Sequence, residues 1–444
     1  MLKSFFAKTI RQHFTIQNRK LMMVKNVGDV SMENFKSVDE KFTILATTPT
    51  GFERSAAGEV SSKIETSKCE TTQGKVYFQA TQNTLSQIHK LKSVDNLFLV
   101  VKHIPNYIYN ENKEKALEDL HQLPLGIPWE KVVDLWNVNK EYCNKKIKKA
   151  MKSKSNESEL NQNEKQDSDD ADVPLKRKKS NEVSFRVSAT RVGKKQSFIS
   201  PEAERTFGGS LNDHTQWKVD LSNYDIEVNL ILGMESVMIT LSLTTSSLHR
   251  RNITHFGITT LRGTIAYNLA RVCNIQKGDI VLDPMCGTGC ISIEGASEWK
   301  DSFQIAGDNA HPAIIRAKAN FDHLNKRVGH ESYIADVMQW DVTNLPWKND
   351  SIDVIVTDMP FGKRVGSRQD NRTLYPKTLL ELSRVAKLGS ARACFLTRDK
   401  RSMGIAIAKC KKYLKCTETF FINIGGLKAC VYLMNRTSEP YQAE

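Results

Sequence analysis

Residues 279–296 read DIVLDPMCGTGCISIEGA. An apolar run ends at Asp283, a turn of small residues follows, and an apolar helical pattern begins near Thr288 or Gly289. The stretch reads as a buried strand, a tight turn and a helix. Its glycines let backbone come close to a ligand. Ile291-Ser292 follow Cys290, so the third glycine of G-x-G-x-x-G is missing, and no Lys-Ser/Thr follows to make a nucleotide P-loop. Cys286 and Cys290 flank the turn as small packing residues rather than as nucleophiles.

Short apolar runs recur on either side of this stretch. They predict strands at 279–283, 303–308, 331–336, 352–358, 391–397, 416–423 and 428–435, with a helix at about 258–273 leading in. The runs up to 397 alternate with helical patterns, as a doubly wound parallel sheet requires. The last two are linked closely through Gly425-Gly426, which permits only an antiparallel hairpin. Asp308 closes FQIAGD, with Asn309 beside it, and Asp336 closes SYIAD, with Val337 beside it. An acid at the second strand end can accept hydrogen bonds from both ribose hydroxyls of a nucleotide cofactor. NAD enzymes share that chemistry, and either acid could instead cap the next helix.

The fourth strand runs out into TDMPFGKRVGSR, residues 357–368. Crevices at the carboxyl ends of parallel strands are where ligands bind. An exocyclic amine on a base is a poor nucleophile, because its lone pair is delocalised into the ring. Asp358 can accept one N–H of such an amine, and the Pro360-side backbone carbonyls can accept another. A preorganised carboxylate stabilises the developing positive charge, an effect of about 3–4 kcal/mol in comparable deletions. It can also take the proton as general base. Phe361 offers a ring face for stacking, worth about 1–3 kcal/mol per base, and Pro360 stiffens the backbone. Lys363, Arg364, Arg368 and Arg372 follow, where a nucleic-acid backbone would pass. No cysteine stands near this loop, which argues against carbon methylation.

The chain has 444 residues, enough for two or three domains, and a formal charge of +14 that favours a polyanionic partner. Apolar runs fall well short of the ~20 residues needed to span a bilayer. Nine cysteines, an odd number with no CxxC pair, argue against a disulfide framework or a zinc ribbon and for a reducing compartment. No metal site is expected. Residues 1–40 form a basic leader, with no acid before Asp29, whose first 28 residues have the composition of a mitochondrial presequence or of a ragged basic tail. Residues 41–150 read as an α+β module. Residues 151–182 are a polar, charged linker expected to be disordered, and KRKK at 176–179 is a nuclear address, an RNA contact or a solvated run. Residues 183–248 resume strands and a helix, with Arg191, Lys194 and Lys195 at the end of the first strand. Residues 249–439 hold the doubly wound sheet.

With these residues in hand, DPMCGTG resembles the first motif of class I S-adenosylmethionine methyltransferases, in which an acid precedes a G-x-G turn. Asp-x-Pro-Phe resembles the N/D-P-P-Y/F motif of amino-directed members, with Met359 in place of the first proline. LDPMCGTGCISIEGA, AGDN, TDMPFGKRVGS and LYPKTLLELSRV together resemble the THUMP-domain tRNA guanine-N2 methyltransferases. FRVSATRVGKKQSF and VDLSNYDIEVNLIL resemble a THUMP module, and ATTPTGFERSAAGEV the ferredoxin-like part before it. The resemblance implies a Rossmann-like methyltransferase domain with a terminal antiparallel hairpin, behind an α+β ferredoxin-like/THUMP domain. It implies S-adenosylmethionine held by Asp283, Met285, Cys286, Gly287, Thr288, Gly289, Asp308, Asn309, Asp336 and Val337, with Asp336 facing the adenine amine. It implies a guanosine of the tRNA acceptor stem as acceptor at N2, with Asp358, Pro360 and Phe361 around it. Arg191, Lys194 and Lys195 would grip the 3′ CCA end, and a small zinc-binding activator protein is the implied partner. The expected compartment is the cytoplasm, with mitochondrion or nucleus as alternatives. Rival readings are an amino-methyltransferase of another RNA, DNA or protein, and a non-catalytic RNA-binding protein on the same fold.

Overall fold

Strands that are apolar on both faces need helices on both sides, and the carboxyl half of the chain supplies them in alternation. The computed structural model describes residues 30–31, 40–66, 68–158, 183–328, 335–362 and 367–442. In chain order its amino half contains β1 (Val30–Ser31), β2 (Phe42–Thr47), α1 (Glu53–Lys63), β3 (Cys69–Thr72), β4 (Lys75–Ala80), α2 (Leu85–Ile88), β5 (Asn96–Pro105), α3 (Lys113–Gln122), α4 (Trp129–Ser158), β6 (Ser184–Arg191), α5 (Ser200–Thr215), β7 (Lys218–Val219), β8 (Ile226–Leu232) and β9 (Ser236–Ser242). The carboxyl half contains α6 (Gly263–Val272), β10 (Ile280–Asp283), α7 (Cys290–Glu298), β11 (Phe303–Asp308), α8 (His311–Val328), β12 (Ala335–Gln339), β13 (Val354–Asp358), α9 (Arg368–Val385), β14 (Arg392–Thr397), α10 (Lys400–Cys410), β15 (Leu414–Ile424) and β16 (Leu427–Arg436).

Two compact units divide the chain. One draws on Met1–Thr43, Leu99–Leu135 and Asp172–Ser242. In it β1 pairs antiparallel with β5, β9 pairs antiparallel with β8, and β8 pairs parallel with β6. Strand β8 alternates buried and half-buried residues along IEVNLIL, the signature of a sheet with one covered face. The helix α4 continues through Ser158, past the point where the linker was expected to begin. Residues 159–182, with KRKK, and the leader up to residue 29 lie outside the described residues.

The other unit draws on Ile44–Phe98, Trp136–Ala171 and Leu243–Glu444. Its sheet runs β12-β11-β10-β13-β14-β16-β15. The first five strands are parallel, and β16 is antiparallel to both β14 and β15. This is the expected doubly wound sheet closed by a hairpin. Side chains alternate between two cores. Val281, Val354, Val356, Cys394 and Leu396 pack with Ile265 and Leu269 of α6. Leu282, Ile355 and Phe395 pack with Tyr375, Leu379 and Leu382 of α9 and Met403 of α10.

The helix before the sheet starts at Gly263, later than the expected 258. The Thr260 hydroxyl accepts the Gly257 N–H at 2.8 Å and fixes a turn instead. Such local hydroxyl bonds compete with a helix. Phe256 and Ile258 on that turn are 67% and 76% exposed.

Segment 44–98 belongs to this unit through its side chains. Phe52 is 1% exposed within the core that contains Val354 and Leu396, and its ring meets Phe420 edge-on. Glu59 of α1 is fully buried and accepts the Ser93 N–H at 2.8 Å, the Ser93 hydroxyl at 2.5 Å and the Lys63 ammonium at 2.8 Å. Burial opposes its charge, but Lys63 and Ser93 outweigh burial and hold the carboxyl below its ordinary value. Lys63 and Lys92 both bridge to Glu298 of α7, at 2.5 and 3.1 Å. Removing one partner of such a buried set leaves the others uncompensated, at about 3–5 kcal/mol. Glu59→Ala is therefore expected to lower the unfolding free energy by about that amount in urea titration, and Glu59→Gln by less.

Candidate active site

The glycine turn is stitched to the end of the neighbouring strand. The Cys286 N–H donates to the Gly307 carbonyl at 2.8 Å, and the Gly287 N–H donates to Asp308 Oδ2 at 3.0 Å. Asp308 Oδ1 accepts the Ala310 N–H at 2.9 Å, so the acid anchors the turn and also holds the approach to α8. Gly287 and Gly289 take φ of 54° and 81°, the left-handed region that a side chain avoids. A Cβ on Gly287 would meet nothing within 4 Å, so the space over the turn is open. Thr288 is buried, and its carbonyl accepts from Asn320 Nδ2 at 3.0 Å. Met285 is half-buried, and Asn309 is exposed. Burial pushes the Cys286 thiol well up and the Cys290 thiol to about 12, so neither is a thiolate at neutral pH.

The third strand corrects the sequence reading. It runs Ala335–Gln339, so Asp336 lies near its start, opposite Ile305, and does not close it. Val337 is half-buried opposite Ala306. The residue level with Asp308 is Gln339, whose amide donates to the Asn309 carbonyl at 3.0 Å. Beyond it the Trp340 indole donates to the Pro284 carbonyl at 3.0 Å, tying the glycine turn to β12. Next comes Asp341, exposed, with Oδ1 accepting the Thr343 N–H and hydroxyl, both at 2.8 Å. Asp341 thus stands at the carboxyl edge that Asp336 was expected to occupy.

Asp358 is the last residue of β13. It is half-buried, its Oδ1 is closed off from solvent, and no hydrogen-bond partner among the described residues reaches that oxygen. Burial, with the Asp283 carboxylate next door, pushes it up to about 8. Asp283 ends the adjacent strand, and burial pushes it up to about 7. Two raised carboxylates side by side, one with an unsatisfied oxygen, form a receptor for positive charge and for N–H donors. Phe361 is half-buried against the core of Val354 and Leu396.

Pro360 does something other than expected. Its carbonyl already accepts from Asn371 Nδ2 at 2.9 Å and from the Tyr375 hydroxyl at 2.5 Å. Both lone pairs are engaged, so this carbonyl is not the second acceptor for an amine. Tyr375 in turn meets Thr397 Oγ1 at 2.7 Å, which fastens the loop to β14. Asn371 and Tyr375 stand one helical turn apart on α9, a spacing visible in the sequence but not assigned there.

The basic candidates divide. Lys363 and Arg364 lie outside the described residues, while Arg368 and Arg372 are exposed on the first turns of α9. In the other unit Arg191 is exposed and donates to the Phe198 carbonyl, Lys195 pairs with Glu235 at 2.6 Å, and Lys194 is exposed. No group of metal-binding side chains occurs among the described residues, and no described helix is long and apolar enough to cross a membrane.

The strand order, the glycine turn after β10 and the acid-x-Pro-aromatic loop after β13 define a class I S-adenosylmethionine-dependent methyltransferase. Residues 250–429 match the RMKL-like methyltransferase domain family, and residues 170–242 match the THUMP domain family. The tRNA (guanine(6)-N(2))-methyltransferase THUMP3 of Bos taurus is 39% identical over 452 residues, 90% of this chain and 89% of that one. The U6 snRNA (guanine-N(2))-methyltransferase THUMPD2 of Mus musculus is 28% identical over 399 residues, 79% of this chain and 73% of that one. The crystal structure of TrmN from Thermus thermophilus shares the fold, with a TM-score of 0.67 at 20% identity, covering 89% of this chain and all of that one. The chain belongs to the THUMP-domain guanine-N2 methyltransferase family.

S-adenosylmethionine is the methyl donor, and the site fits it. The open space over Gly287 admits a ligand against backbone, and the raised pair Asp283–Asp358 suits a neighbouring sulfonium.

Proposed function

We propose that this enzyme methylates the exocyclic N2 amine of guanosine 6 in the acceptor stem of tRNA. The observation that carries the chemistry is the unpartnered, buried Oδ1 of Asp358 at the end of β13, beside the glycine turn. The relatives at 39% identity over nine-tenths of the chain support the acceptor, as do the THUMP match and the net charge of +14.

S-adenosylmethionine, when bound, supplies an electrophilic methyl on a positively charged sulfur. Asp358 accepts one N–H of the guanine amine and so orients its lone pair toward that methyl. Positive charge would grow on the amine nitrogen as it takes up a methyl group, and the Asp358 carboxylate would stabilise it. The surplus proton then passes to Asp358, whose raised affinity for protons suits it to a base working near neutral pH. Phe361 presents a ring for the base to stack on. Tyr375 and Asn371 hold the loop between them by its Pro360 carbonyl. Of the predicted cofactor residues, Asp283, Met285, Cys286, Gly287, Thr288, Gly289, Asp308 and Asn309 line the carboxyl ends of β10 and β11, and Asp341 takes the adenine side in place of Asp336. The amine of a stem guanine lies in the shallow minor groove of RNA, and the base leaves its stack to reach the crevice.

The same reading assigns Arg191, Lys194 and Lys195 to the grip on the tRNA 3′ end and the cytoplasm as the compartment, and it takes the small zinc-binding activator protein as partner. The relatives named for U6 snRNA favour one alternative, another structured RNA as acceptor. Nucleoside mass spectrometry of tRNA and of U6 snRNA from cells lacking the protein separates the two. The expected result is loss of N2-methylguanosine at position 6 of tRNA with U6 unchanged. Loss confined to U6 overturns the assignment.

A further inference from the structure

Arg398 is the residue after β14, the strand that pairs with β13 and its terminal Asp358. In register, Leu396 pairs with Asp358. Val356 and Leu396 lie in the same core, whereas the Thr397 hydroxyl bonds to Tyr375 on the opposite side. Leu396 therefore shares the side of Asp358, and Arg398 follows two residues later, one residue past the end of β14 at the carboxyl edge of the sheet. Arg398 is half-buried, its Nε is closed off from solvent, and no acceptor among the described residues reaches that atom. The oxygens of its neighbour Asp399 accept from Ser402 and Asn371.

The carboxyl ends of these adjacent strands thus present an Asp358 oxygen without a donor and an Arg398 Nε–H without an acceptor among the described residues. Leaving either group desolvated and unpaired is costly, so the pair is complementary to a ligand that brings donors at one end and acceptors at the other. A guanine has that polarity. Its N2 amine donates, and its O6 and N7 accept on the far edge. Resting on the reading of the acceptor given above, we propose that Arg398 reads the O6/N7 edge of the target guanine while Asp358 holds its amine. A planar guanidinium matches two adjacent acceptors with two parallel N–H bonds. Adenine would turn its own amino group toward the arginine, so the same contact rejects it.

The test pairs a protein change with a substrate change. Methyl transfer is measured as kcat/KM on tRNA with guanosine or 7-deazaguanosine ligated at the target position, using wild type, Arg398→Ala and Arg398→Lys. Wild type is expected to lose about tenfold on 7-deazaguanosine, and Arg398→Ala about 10- to 100-fold on guanosine. The alanine variant should lose little further on 7-deazaguanosine, since the partner atom is already unused. Arg398→Lys should fall between. S-adenosylmethionine affinity by calorimetry should be unchanged in both variants. Penalties that multiply, or a wild type indifferent to loss of N7, overturn the proposal. Multiplying penalties with a salt dependence reduced by about one ion would make Arg398 a phosphate contact instead. If Arg398→Ala fails to fold, Arg398→Lys and the two substrates with wild type still decide. A wild type inactive on the guanosine tRNA when assayed with the activator partner proposed above would overturn the acceptor assignment, a different failure from loss of base-edge coupling.

Discussion

Asp358→Asn is expected to slow methyl transfer by about 10³-fold while S-adenosylmethionine still binds. The amide keeps the shape of the carboxylate but cannot take a proton or balance charge on the attacking nitrogen. The same change is expected to stabilise the fold at pH 8. Asp358 is raised from its ordinary range to about 8 in the folded chain, so between about pH 4 and pH 8 the native state binds more protons than the unfolded one. Stability contributed at this position is present at low pH and falls as pH rises through that window. An asparagine does not titrate, so the variant should gain several kcal/mol over wild type at pH 8 and little at pH 4. In wild type, kcat/KM for S-adenosylmethionine should rise with pH and level off as the Asp283–Asp358 pair, at about 7 and 8, loses its protons. Single-turnover rates, calorimetry and thermal melts at the two pH values check each part. Full turnover by the asparagine variant would remove Asp358 from the chemistry.

Gly307→Ala is expected to damage both the fold and the cofactor turn. A Cβ at this position would stand 2.2 Å from two carbons of the Trp340 ring, and the ring is buried and rigid. Overpacking of this kind costs about 3 kcal/mol or more when the neighbour cannot move. If Trp340 shifts, the indole bond to the Pro284 carbonyl goes with it, and the turn loses one of its ties. Asp308, the next residue, would carry that displacement to Gly287. Urea titration should show the lost stability, and cofactor affinity should fall by about tenfold or more at temperatures where the variant stays folded. Trp340→Phe removes the indole N–H without the clash, and should weaken cofactor binding while leaving most of the stability.

Much of this arrangement was legible in the residues. The central strands β10, β11, β13 and β14 are continuous apolar runs bounded by glycine, proline or acid, because they are covered on both faces. The edge strand β12 was placed too early. Its five residues are all half-buried or exposed, so the apolar signal is weak, and Asp336 passed for an end when the strand in fact continues to Gln339. The Asp358–Phe361 loop was visible because its chemistry is contiguous in the chain. Asn371 and Tyr375 were not, since each reaches the loop only through the packing of α9. The role of the Pro360 carbonyl likewise depends on what lies across from it in space.

The position of β16 bears on how the protein is made. Strand β16, made after both of its neighbours, lies between β14 and β15 rather than at an edge. Until it emerges, both flanks wait with open backbone, and Phe52, translated hundreds of residues earlier, lacks the companions that cover it. At ordinary elongation rates Phe52 waits tens of seconds for them. A nascent chain in this condition is a natural client of ribosome-associated chaperones, and a premature stop anywhere before Leu427 should yield aggregated polypeptide rather than a shortened enzyme.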